Sequence, residues 1–228
     1  MMSTQKQQHE IDRFQVERLI LFSDAVFAIA ITLLIIEIKI PHLESATGQL
    51  SFAEANNQLT DAMLNQIPLW IGFLVSFSVI GAYWNSHHRM FAYVDVHDGK
   101  LIFLNFVFLM TIVVMPFSSA FFSEFVGFQT PFIFYALNVS LTGICQWLIW
   151  RYISHHKGTI SRRVTAADRR YGNARSIVVP ALFLFSIVLY FILKTNITPL
   201  KMATIYASWS WFLLFPLSFL IRKIYGKK

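Results

Sequence analysis

The chain has 228 residues, of which 56% belong to the hydrophobic set and only 14% are charged, with a mean hydropathy of +0.54. Soluble domains carry about 25% charged residues, so this composition excludes a soluble globular domain and describes an integral membrane protein. The formal net charge of +7 is a topology signal, and the same bias argues against a nucleic-acid surface.

Apolar stretches of about 20 residues, the length that spans a bilayer as a helix, predict six transmembrane helices, at 18–38, 67–88, 101–122, 131–152, 174–193 and 200–221. Short polar segments separate them, so residues 1–228 read as one all-α, six-helix membrane domain. Of the 19 Lys and Arg, all but Lys39, Lys194 and Lys201 fall on the side that holds the N-terminus. Cytoplasmic loops retain positive charge, so both termini are expected in the cytoplasm, in a multi-pass plasma-membrane protein. The polar residues before the first apolar run, among them Glu10, Asp12 and Glu17, make that helix an uncleaved anchor rather than a signal peptide. The basic loop from His155 to Arg175 reads as a solvated positive-inside loop in preference to a lipid-headgroup site. A lone Cys145 excludes an intrachain disulfide and reads as small apolar filler.

Between the first two helices, SFAEANNQLTDAML predicts a short interfacial helix in the longest outer loop. Gly127 and Pro131 mark the turn into the fourth helix. Pro116 and Pro216 imply kinks in the third and sixth, which neighbouring helices can accommodate. No internal repeat is visible.

The first helix reads RLILFSDAVFAIAITLLIIEI from Arg18 to Ile38, and its carboxyl at Asp24 is expensive in a membrane and so marks a functional or tightly paired group. Asp24 lies about 9 Å past Arg18 along the axis at 1.5 Å per residue. At about 100° per residue, Arg18, Phe22, Ala25, Ile29, Thr32, Leu33 and Ile36 share one face. Asp24 falls on the opposite side, with Ser23 between the two. At comparable depth the second helix carries Trp84, His87 and His88, and the third carries Asn105. Two readings follow: a proton or ion path through Asp24, or an internal clasp in which these donors satisfy the carboxylate. The clasp is favoured. His87 and His88 point about 100° apart and lack the further ligands a metal site needs, so one is expected to face the clasp and the other water. No nucleophile or metalloprotease motif is present, and no enzyme activity or cofactor is expected. Taken alone, the Ile29, Leu33, Ile36 stripe reads as ordinary helix packing.

RLILFSD, at Arg18 to Asp24, matches the RxxxFSD signature of the transmembrane-protein-175 family of potassium channels, and YWNSHHRMF and LNFVFLMTIVVMPFSS resemble its other recurrent segments. The resemblance covers the first three helices well and the rest by count, length and charge bias. It implies a channel whose pore is lined by the first helix, without a TVGYG filter, and with one FSD copy it implies a homotetramer. By position it implies Ile29 as the hydrophobic constriction, Leu33 and Ile36 as further pore-facing residues, and Thr32 as a hydroxyl that meets permeating K⁺. Stacked rings of such side chains block ions by dewetting, while Arg18, Phe22, Ser23 and Asp24, with Trp84, His87, His88 and Asn105, couple the first helix to its neighbours. Potassium ions, membrane lipids and further copies of the chain are the expected partners. The competing expectation is a proton-coupled secondary transporter using Asp24 and His87 or His88, for which paired inverted repeats and broken helices would be the sign.

Overall fold

A computed structural model describes residues 2–42, 51–156, 160–161, 164–196 and 200–225. Lys157, Arg162, Arg163, Lys227 and Lys228, which contribute to the expected orientation, lie outside the described residues, as does the outer loop at 43–50. The helices are α1 (Met2–Ile36), α2 (Phe52–Asn65), α3 (Ile67–Phe91), α4 (Gly99–Glu124), α5 (Gln129–His155), α6 (Ala166–Asn196), α7 (Leu200–Trp209) and α8 (Leu214–Tyr225), with a 3₁₀ turn at Ser210–Leu213 between the last two. Among the described residues, five stretches are long and apolar enough to cross a membrane.

Local chemistry sets the boundaries. α1 continues well before Arg18 as a polar helix, where Arg13 and Glu17 pair at 3.3 Å one turn apart. The expected outer helix is α2, started by a capping box in which Ser51 Oγ accepts from the Glu54 N–H and Glu54 returns to the Ser51 N–H. Asp98 caps α4 by accepting from the Leu101 N–H at 2.8 Å, and its other oxygen accepts from the Tyr152 hydroxyl of α5. Gly127, at φ 94°, makes the α4–α5 turn, a conformation side chains other than glycine adopt at a cost.

α5 is the most buried of the five spanning stretches, with 61% of its most apolar window buried against 28% for that of α1. It packs on α4 and α6, while α1 lies against α3 and α4. Small residues let the backbones approach, as is usual where lipid offers no hydrophobic drive between helices. At Gly143 a Cβ would stand 2.6 Å from Pro180 Cδ of α6. Polar bonds cross the interior as well: Ser76 Oγ donates to Ser119 Oγ at 2.6 Å, Tyr83 donates to the Val139 carbonyl at 2.7 Å, and Gln146 donates to the Tyr83 carbonyl at 2.9 Å.

The expected sixth helix at 200–221 is not one unbroken span. It divides into α7, the 3₁₀ turn and α8, and both pieces lie against α6. Two causes are visible. Pro216, near the start of α8, has no N–H to give to Phe212. Trp211, in the turn, is drawn into an aromatic cluster with Phe122, Phe132, Tyr135 and Phe183, at centroid distances of 5.2, 5.7, 5.3 and 4.8 Å. Pro180, inside α6, is a second interior proline that the span pattern did not single out.

Candidate pore face and helix clasp

The buried face of α1 runs through Val16, Ser23, Phe27, Ala30 and Leu34, each under 5% exposed. These residues recur at helical spacing and centre about 130° from Ile29 on the wheel. Phe22, Ile29, Leu33 and Ile36 stand on the far side, 47%, 58%, 39% and 66% exposed within the isolated subunit. Arg18, Ala25 and Thr32 are exposed beside them. The face grouping expected from the wheel is therefore present. Exposure alone does not single it out, because Leu21 and Ile35, at other angles, are open too.

Thr32 Oγ donates its hydrogen to the Ile29 carbonyl at 2.9 Å. With the hydrogen turned back onto the helix, the oxygen lone pairs remain outward. That is the arrangement in which a hydroxyl meets a cation.

The expected clasp exists but is two separate contacts, which corrects the reading of Asp24 as its buried centre. In the first, Asp24 is half-buried and accepts from the Trp84 indole N–H at 2.9 Å, and Trp84 stacks on His88 at 5.9 Å. In the second, wholly buried, Asn105 Nδ2 donates to Ser23 Oγ at 2.9 Å, and Ser23 Oγ donates onward to the Leu19 carbonyl at 2.9 Å. Asn105 Oδ1 meets His87 Nε2 at 2.8 Å. With the amide nitrogen committed to Ser23, Asn105 Oδ1 is the acceptor, so His87 carries its proton on Nε2. His87 Nδ1 is then a bare acceptor without a hydrogen-bond partner among the described residues. The physical reason for the split is angular: Ser23 and Asp24 are adjacent, so about 100° separates them, and only one can face the α3–α4 seam.

Of the two histidines, His87 is buried and His88 is exposed. What sequence reasoning missed is the aromatic box around His87, formed by Phe27, Phe91 and Phe108 at centroid distances of 5.7, 4.3 and 5.5 Å. Phe27 follows Ser23 by one turn and Phe91 follows His87 by one turn, so the spacing was available as a signal. Phe22, assigned to the same motif, touches Phe106 of α4 at 5.5 Å. Among the described residues no group of three His, Cys, Asp or Glu converges.

Taken together, fold and site define an α-helical membrane protein whose first helix is tied to the bundle by one face and leaves an apolar stripe with one hydroxyl on another. Residues 18–116 match the family model described as endosomal/lysosomal potassium channel TMEM175, the family that the RxxxFSD segment resembles. A relative from Streptomyces collinus, named a potassium channel, is 41% identical over 104 residues, covering 46% of each chain. A relative from Gallus gallus, named an endosomal/lysosomal proton channel, is 23% identical over 86% of this chain and 38% of its own length. The chain spans about half the length of the curated relatives it first matches. Among solved structures, the lysosomal potassium-selective channel TMEM175 homolog from Chamaesiphon minutus superposes with a TM-score of 0.67 at 24% identity, covering 91% of this chain and 98% of that one. At that identity it supports the fold alone. None of these relatives is named as an enzyme.

Proposed function

We propose that the chain is a potassium-selective channel in which four copies surround an axis lined by α1. In this reading α7 and α8 together make the sixth pass and both termini are cytoplasmic. The residues facing the axis are Ile29, Thr32, Leu33 and Ile36. The observation that carries the proposal is the division of α1 into a face bonded to α3 and α4 and an apolar face that the subunit leaves uncovered. Potassium-channel relatives across the same region support it.

Four copies of Ile29, Leu33 and Ile36 form stacked apolar rings that exclude water when narrow and conduct when widened. Thr32 oxygens, with their hydrogens turned away, replace part of the hydration lost at the constriction. K⁺ gives up its water more readily than Na⁺ there, which sets a modest preference. The Trp84–Asp24 contact and the Asn105 network hold the back of α1, so a tilt of α1 moves the rings with α3 and α4.

The test is reconstitution of the purified chain in liposomes under opposed K⁺, Na⁺ and proton gradients. The expected result is a tetramer with a passive K⁺ flux that reverses with the K⁺ gradient. A flux of protons alone would place the chain with the proton-channel reading. Saturable, proton-driven uptake would favour the transporter, and an oligomer without α1 at its axis would refute the pore assignment.

A further inference from the structure

A cleft of about 870 Å³ lies between α3 on one side and α6 with α7 and α8 on the other, and Tyr135 and Gln146 of α5 contribute to its lining. Its walls are mainly apolar, with Val75 and Val79 facing from α3 and Val178, Val179 and Phe219 from the other side. Along α3 the lining extends from Pro68 to Arg89, about 32 Å at 1.5 Å per residue. That equals the hydrocarbon thickness of a bilayer, about 30 Å.

Three arginines line this one cleft: Arg89 in the last turns of α3, Arg175 in the first turns of α6 and Arg222 near the end of α8. Successive passes alternate in direction, so all three stand at the same end of the bundle, the end the charge bias assigns to the cytoplasm. Among the described residues, no Asp or Glu lines the cleft. The contacts of Arg89 and Arg175 are with neutral groups, Asn85 Oδ1 at 3.1 Å and the Tyr171 hydroxyl at 3.3 Å. Positive-inside bias and snorkelling account for an arginine at each helix end. They do not require three helices to bring theirs to one apolar cleft without a carboxylate, where like charges repel unless an anion lies among them.

We propose that the cleft binds an anionic phospholipid of the cytoplasmic leaflet, with acyl chains along the apolar walls and the headgroup phosphate held by Arg89, Arg175 and Arg222. The guanidinium fork matches phosphate geometry, and that leaflet is the one that presents anionic headgroups. Free phosphate would make no use of the apolar walls. Another copy of the chain would bring a cytoplasmic end of the same positive sign. This assignment is independent of what the protein conducts.

The experiment is native mass spectrometry of the full chain in detergent with phosphatidylglycerol or phosphatidylcholine of equal chain length. Phosphatidylglycerol should be retained about tenfold over phosphatidylcholine. Arg175→Gln and Arg222→Gln should each lower its retention about fivefold, the factor for one basic group at a lipid surface. Ala82→Phe, which narrows the apolar wall and leaves the arginines in place, should lower it as well. Unchanged elution and continued protection of buried Cys145 confirm that each variant is folded. Equal retention of the two lipids, displacement by inorganic phosphate, or full retention in both Gln variants would overturn the proposal. So would subunit-to-subunit cross-linking of the Ala82→Cys variant, which would give the cleft to a second copy.

Discussion

Replacing Asn105 by leucine removes the centre of the buried network and leaves its shape nearly intact. Asn105 and His87 are both 0% exposed, and their bond at 2.8 Å is the only hydrogen bond of the His87 ring among the described residues, because Nδ1 has no partner there. Asn105→Leu therefore strands the Nε2 proton of His87, while Ser23 keeps its bond to the Leu19 carbonyl. Interhelical hydrogen bonds in membrane proteins average about 0.6 kcal/mol each, and two are lost. An orphaned buried donor adds about 1–3 kcal/mol, so the expected cost is about 2–4 kcal/mol. His87→Phe in the same chain removes the stranded donor, and the Phe27, Phe91 and Phe108 box accepts a benzene ring. The double variant should then cost only about 1 kcal/mol, since replacing both partners with apolar groups of similar shape is nearly neutral. The assay is unfolding in mixed micelles of rising SDS fraction, read by the reaction of Cys145, which is buried at 6% exposure, with a thiol dye. If the double variant costs the sum of the two singles, the stranded-donor argument is wrong.

Ile29→Asn should wet the proposed constriction, raising ion flux or weakening the preference for K⁺, with little change in stability because the side chain is 58% exposed in the subunit; unchanged liposome flux would remove Ile29 as the gate. Gly143→Ala should destabilise by about 1–3 kcal/mol through overpacking, as its methyl would stand 2.6 Å from Pro180 and 3.0 Å from the Tyr83 hydroxyl; a neutral effect in the SDS assay would show that α5 and α6 separate freely. Burial pushes the Asp98 carboxyl up, but the Tyr152 hydroxyl, the Leu101 N–H and His156 outweigh it and hold it below its usual 3.8. A carboxyl lowered in the folded state stabilises above the usual value and loses that stabilisation as pH falls through the folded one. Thermal melting should thus keep the Asp98 contribution from neutral pH down to about 4 and lose it below. Asp98→Asn retains a capping oxygen and should flatten that acid limb; an unaltered limb would count against the assignment.

The RxxxFSD segment shows where one-dimensional reading succeeds and where it stops. Helical period placed Ile29, Thr32, Leu33 and Ile36 together, and the structure keeps them on one uncovered side of α1. The same period put Ser23 and Asp24 on different faces, yet depth alone grouped both with Trp84, His87 and Asn105. Depth does not say which donor lies at which angle on a neighbouring helix. Among the described residues, Asp24 consequently bonds only to Trp84, and Ser23 became the residue that enters the core. The starts of α2 and α4 depend on local chemistry, because Ser51, Glu54 and Asp98 cap within their own segments. The break at 210–213 was legible only in part: Pro216 marked a kink, but the burial of Trp211 depends on rings from three other helices.

The amino-acid order by itself determined the membrane class and the stripe on the first helix, because each is set by composition or by period along a single helix. Only the tertiary structure decided that the clasp is two contacts, that the last segment breaks, and that Arg89, Arg175 and Arg222 share one apolar cleft. Those depend on the rotation and separation of helices distant in the chain, which no local period encodes.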